Sequence, residues 1–167
     1  MTQGEKQAAM KTFIELYDFH TQQFHNVIDG ISASDAMNRL NSKANHIAWL
    51  AGSLVQERFV LAGFMGVNNL KQISDALFSD HKGIQDGVQY PSLDEYRSDW
   101  DKVSPLLRVA IVSLSEAELN GPDPFEMPGG PYTLYDTLVF CTDRESYCIG
   151  QIGLWRRILG YEPMKYS

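Results

Sequence analysis

Leu134, Leu138, Cys141, Glu145, Cys148, Ile152, Trp155 and Leu159 follow one another at alternating spacings of four and three residues. A seven-residue repeat of this kind lines one face of an α-helix. It cannot line a strand, whose side chains alternate with period two. Thr133 with Asp136 three residues on marks a helix start, and Gly160 supplies the stop. A helix that is apolar on one face has to bury that face against other elements, so the rest of the chain must provide them.

It does so with more helices. Phe13, Tyr17, His20, Phe24 and Val27 form a helical stripe ending at Gly30, and a short link over 31–40 holds one turn capped by Ser32 or Ser34. A second helix is expected from about Ser42 to Gly63, with Ile47, Leu50, Leu54 and Ala62 on its apolar face. Residues 64–91, rich in Gly, Asn and Asp, read as a long connection with short helical pieces. Ser92 and Glu95 have capping-box spacing and open a third helix, with a stripe through Leu93, Tyr96, Trp100, Val103, Leu107, Ala110 and Leu114. Pro105 lies inside that stripe and is expected to kink it. Residues 121–131, with four prolines and three glycines, form a loop. No run shows strand-like alternation. The fold class is therefore all-α, an antiparallel four-helix bundle with long connections, and residues 1–167 make one domain.

The balance of 14 Lys plus Arg against 21 Asp plus Glu gives a net charge of −7. With no basic cluster to offset it, nucleic acid is not an expected partner, because phosphate backbones are held mainly by Lys and Arg. The most apolar stretch, 47–67, is interrupted by Gln56, Glu57 and Arg58, and the opening residues lack a charged-then-apolar leader pattern. A cytoplasmic protein with no membrane partner is expected. Cys141 and Cys148 share one helix about 10.5 Å apart, too far for a disulfide. Both are expected to be thiols.

Asn45-His46-Ile47-Ala48-Trp49-Leu50-Ala51-Gly52-Ser53-Leu54 in the second helix is one of two distinctive runs. The other is Glu145-Ser146-Tyr147-Cys148-Ile149-Gly150-Gln151-Ile152, followed by Arg156-Arg157-Ile158-Leu159-Gly160-Tyr161, in the last. Together these runs resemble the DinB/YfiT-type proteins, a family of bacterial four-helix bundles, and the helix order extends the likeness over nearly the whole chain. The resemblance implies a homodimer and a divalent metal, often zinc or nickel, held by three histidines. One comes from the second helix and two from a His-x-x-x-His in the last. It further implies metal-dependent transferases or isomerases that use small thiols, although many members have no assigned activity. By position, those three sites fall on Ser53, Arg144 and Cys148, and His46 becomes a first ligand if the register shifts by seven.

A guanidinium carries a permanent positive charge and five donors but no acceptor, so Arg144 cannot coordinate a cation. No cofactor is expected. The ligand-binding set is Ser53, Arg144 and Cys148 with His46 nearby, and the expected partner is an anionic small molecule at a degenerate metal site. Arg144 could equally be an internal ion pair with Glu57, Glu145 or Asp143. Cys148 is the candidate catalytic residue, a thiolate beside Arg144, set against a small buried residue filling space. The enzymatic alternative is a metal- or thiol-dependent transferase or hydrolase whose irregular site uses Cys148 with His46 or His20, and zinc or nickel as the ion. Gly150 and Gly153 are expected to admit close helix packing. Trp49, Phe59, Trp100, Tyr147 and Trp155 are expected in the core or a dimer interface, and Arg156-Arg157 to complement the helix dipole.

Overall fold

A computed structural model describes residues 3–166. Four long helices, α1 (Gln3–Ile28), α3 (Ile47–Phe64), α5 (Leu93–Ser113) and α7 (Leu134–Ile158), carry the core. Three single turns, α2 (Ala33–Ala36), α4 (Asp75–Phe78) and α6 (Glu116–Leu119), lie in the connections. Among the described residues there is no strand, only an isolated bridge between Pro122 and Thr133. The all-α expectation holds. No described helix is long and apolar enough to cross a membrane.

Helix α3 packs on α5 and α7, and α1 on α7 and α5. The stripes meet as their periodicities require. Phe13, Tyr17, His20, Phe24 and Val27 of α1 are buried, as are Leu138, Cys141, Glu145, Cys148, Ile152 and Trp155 of α7. Trp100 is fully buried and stacks on Phe24 with ring centroids 4.1 Å apart. On α5 the last buried position is Ile111 rather than Ala110. The helix runs through Pro105 without interruption, and Pro105 lies on the exposed side.

The caps act as their spacing implies. Ser92 Oγ accepts from the Glu95 backbone N–H at 3.3 Å while Glu95 Oε2 accepts from the Ser92 N–H at 2.8 Å. Thr133 and Asp136 do the same for α7 at 3.3 and 2.8 Å. Each cap contributes about 1 kcal/mol by satisfying donors that a helix start leaves open. Ser32 caps α2.

Three expectations need correction. Helix α3 starts at Ile47, not near Ser42. Ser42 is used in a turn instead: its hydroxyl donates to the Arg39 carbonyl at 2.7 Å and accepts from Ala44 N–H at 3.2 Å, with Leu40 and Asn41 in the left-handed region. His46 caps the helix in its place, Nδ1 accepting from the Trp49 N–H at 3.0 Å. Secondly, Gly150 admits no neighbour among the described residues, because a Cβ there would meet open space. The close approach is at Gly52, where a Cβ would collide with the Tyr96 hydroxyl and stand 2.6 Å from Phe78 Cζ. Thirdly, Arg156 does more than face a dipole. It is buried and donates to the carbonyls of Val27 at 3.1 Å and Asp29 at 2.5 Å, closing the end of α1.

Gly52→Ala is expected to lower stability by about 1–3 kcal/mol through overpacking against Tyr96 and Phe78. Gly63→Ala, where a Cβ also meets open space, should instead gain up to about 1 kcal/mol of helix propensity. Urea-denaturation midpoints of the two variants against wild type check the contrast.

Candidate functional site

Two arginines on facing helices dominate the polar chemistry of the interior. Arg58 sits one turn after Leu54 on the apolar face of α3, and its side chain is 2% exposed. A guanidinium so placed loses its hydration, a cost that only opposite charge and well-formed hydrogen bonds can offset. Glu145 of α7 supplies both: Arg58 Nε donates to its Oε1 at 2.5 Å and Nη2 to its Oε2 at 2.9 Å. Nη1 donates to Thr21 Oγ1 at 2.8 Å and to Ser104 Oγ at 2.7 Å. The plane lies between the rings of Tyr17 and Trp100, 4.0 and 3.6 Å from their centroids. Burial alone would raise the Glu145 carboxyl, but the Arg58 charge and the neighbouring His20 outweigh it and hold the group below the usual carboxylate range. His20 Nδ1 lies 3.3 Å from Glu145 Oε2, near enough for attraction but not aligned as a hydrogen bond.

Arg144 is differently placed. It sits one residue before Glu145, which turns it away from the core axis and toward α3, and its side chain is 26% exposed. Nη1 stands 3.1 Å from Glu57 Oε2 and 3.5 Å from the Ser53 carbonyl. Of the three ion-pair partners open to it in the sequence, the structure selects Glu57. That carboxyl is 9% exposed, and its Oε1 has no hydrogen-bond partner among the described residues. Burial pushes it up to about 8, more than Arg144 draws it down, with the Glu145 charge adding to the rise. Burial thus favours the protonated form of Glu57 and weakens its pairing with Arg144.

Ser53 and Arg144 are thus brought together, and Cys148 is buried one turn beyond Arg144. The Ser53 hydroxyl donates to the Leu50 carbonyl at 2.8 Å, within its own helix, so the serine offers its backbone oxygen to Arg144. Burial raises the Cys148 thiol above its ordinary value despite Arg144, and Glu57 and Glu145 act in the same direction as burial. The thiolate form required of a nucleophile is disfavoured there. Cys141 is likewise a buried free thiol, raised by burial. His46 lies two helical turns from Ser53, about 10.5 Å along α3. Its partners are the Trp49 N–H and, edge-on at 4.9 Å, the ring of Tyr90. Burial and then Arg39 lower it to about 4, so it is neutral at physiological pH.

The residues present do not fit the three-histidine metal site that the resemblance to DinB/YfiT-type proteins implies. The three positions that the resemblance assigns to histidines hold a guanidinium, a serine turned onto its own helix, and a thiol whose burial favours the protonated form. Among the described residues no group of three or more His, Cys, Asp or Glu side chains could hold an ion. Two cavities lie elsewhere. One of about 620 Å³ lies between α1, α5 and α6, and one of about 490 Å³ lies beside α2, Ala48 and Tyr90.

Sequence reasoning missed Arg58. The signal was present, because a charge in the apolar register of α3 and another in that of α7 each require an opposite partner.

Glu145→Gln, which leaves Arg58 buried without its anion, is expected to cost about 3–5 kcal/mol. Replacing both residues together, Arg58→Met with Glu145→Leu, should recover most of that loss in chemical denaturation. Glu57 generates a pH prediction of definite sign. Its carboxyl holds its proton up to about 8 when folded, against an ordinary 4.5. The resulting stabilisation is complete below the ordinary value and is lost as pH rises through that window. Wild-type stability should therefore fall between pH 5 and 8, and Glu57→Gln should flatten the decline.

No family model matches the chain, and no curated protein matches its sequence. The resemblance to the DinB/YfiT type therefore rests on the residues of α3 and α7 alone.

Proposed function

We propose that this chain is an antiparallel four-helix bundle of the DinB/YfiT type whose metal positions have been taken over by Ser53, Arg144 and Cys148. In this proposal it is a cytoplasmic homodimer that binds a small anionic molecule and does not catalyse metal chemistry. Helix direction supports antiparallel pairing for two of the helix contacts. Asn45 accepts from Trp155 Nε1 at 3.0 Å and Arg58 meets Glu145, so α3 and α7 run oppositely. Tyr17 donates to the Ser104 carbonyl and the Thr21 carbonyl accepts from Trp100, so α1 and α5 do too. The neighbours α3 and α5 then point the same way, with Gly52 by Tyr96 and Arg58 by Ser104. A connection between parallel neighbours has to travel back the full length of a helix. Residues 65–92 do this, and the length of that connection follows from the topology.

The observation that carries the binding proposal is the state of Arg144. It is partly exposed, and its only acidic partner among the described residues is a carboxyl whose burial favours the protonated form. A guanidinium left with unsatisfied charge is suited to a carboxylate or phosphate, which it meets with paired N–H donors. Among the described residues, burial disfavours the thiolate that the thiol-dependent alternative needs, and no donor set suits the metal-dependent one.

Thermal unfolding in the presence of acetate, benzoate and inorganic phosphate tests the proposal. At a concentration one hundred times Kd, the anion that binds should raise Tm by roughly 5–10 °C. Arg144→Gln should abolish the rise and Arg144→Lys keep part of it. A rise that survives in Arg144→Gln overturns the site. One equivalent of zinc or nickel in untagged protein, lost in Cys148→Ala, overturns the non-metal proposal altogether.

A further inference from the structure

Helix α7 has a second apolar stripe, on the side away from the core. Phe140, Tyr147, Leu154 and Ile158 are exposed, Tyr147 at 68% and Leu154 at 61%. At 100° per residue these four and Gly150 fall within one sector of the helix, with Asp143 and Arg157 inside or at its edge. Large side chains at these positions are not needed inside the chain. Nor is the glycine: in mid-helix it costs about 1 kcal/mol relative to alanine, and among the described residues nothing outside its own helix approaches it.

The charges on this sector have a particular arrangement. Asp143 lies seven residues before Gly150 and Arg157 seven after, so the acid and the base are equidistant from the glycine, two turns away on either side. Both are exposed, and Asp143 has no ion-pair partner among the described residues. Reversing the helix about Gly150 exchanges the two positions. A surface that becomes its own complement on reversal is what a two-fold contact requires, because the same patch is presented by both subunits.

We infer that two copies of this chain pair through α7, the helices crossing antiparallel at Gly150, with Asp143 of each copy against Arg157 of the other. Tyr147 then lies over the partner's Leu154, and the absent side chain of Gly150 lets the two backbones approach at the crossing. This inference rests on the homodimer of the preceding proposal and gives that homodimer its face and register. It also accounts for Tyr147, which is too exposed to be a core residue.

Sedimentation equilibrium of the purified full chain tests it, using charge reversal. Wild type should be dimeric at micromolar concentration. Asp143→Arg and Arg157→Asp, each alone, should raise the dimer Kd by about tenfold or more, since each sets like charges together at two places in the contact. The two substitutions combined should restore affinity to within about threefold of wild type, because the pair is re-formed with its signs exchanged. Gly150→Leu should weaken the dimer without lowering the helical circular dichroism. A wild-type monomer throughout the micromolar range overturns both the homodimer and this contact, and leaves the stripe to a different partner. A wild-type dimer indifferent to the single reversals, or weakened by them and not restored by the double, overturns the α7 contact while the homodimer stands.

Discussion

The guanidinium of Arg58 is the point at which the four long helices are tied together. Its own helix is α3, its carboxylate comes from α7, its two hydroxyl partners from α1 and α5, and its two aromatic faces again from α1 and α5. Apolar contacts tolerate sliding, because one methyl group is much like the next. A bidentate ion pair does not, since a shift of one residue along any of the helices leaves a charge buried without its partner. A buried pair adds little net stability over well-packed apolar residues of the same size. What it does here is set the register of all four helices at once, by making the alternatives costly.

That constraint explains how differently the two interior arginines are treated. Arg58 has hydrogen bonds on all three nitrogens, four of its five N–H groups engaged, and an ionised partner, so its charge is already answered within the core. Arg144 is the next helical neighbour of that same carboxylate, and Glu145 is already committed to Arg58. It has to turn to Glu57, whose burial beside an existing negative charge favours the protonated form. The incomplete pairing of Arg144 is thus a consequence of the complete pairing of Arg58. Two cations face two carboxyls in a confined space, and only one carboxyl ionises readily.

Much of this was legible in the sequence wherever one residue type answers to one local rule. Ser92 with Glu95 and Thr133 with Asp136 cap as their spacing dictates, and the stripes on α1 and α7 face inward as their period requires. The departures arise where a residue has more than one local option or where the answer lies far along the chain. Ser42 can cap a helix or close a turn, and the left-handed backbone at Leu40 and Asn41 selects the turn. Gly52 and Gly150 are indistinguishable in a helical pattern, yet only Gly52 faces a neighbouring aromatic hydroxyl. Arg58 and Glu145 are 87 residues apart, so their pairing depends on topology. At the candidate site, sequence could place Ser53, Arg144 and Cys148 together, but burial decides the protonation of Glu57 and the thiols, and burial is a property of the assembled core.

Helix α7 therefore serves two surfaces with one seven-residue period. Its inner face, through Cys141, Glu145, Cys148 and Ile152, is fixed by the core and by Arg58. Its outer face, through Phe140, Tyr147 and Leu154, carries the same period on the opposite side, where solvent would tolerate almost any polar residue. Repeating an apolar residue every seventh position there has no effect within one chain except to lower solubility. Arg144 lies on the flank of this helix toward α3, between the two faces. A change in how α7 seats in the core would therefore reach the outer stripe through a rigid helix of 25 residues held at its start by Asp136 and near its end by Arg156. In the proposed dimer, ligand occupancy at Arg144 and contact along the outer stripe would act on one stiff element, so any preference of the ligand for one seating of α7 would appear, with equal free energy, as a preference of the assembled state for the ligand.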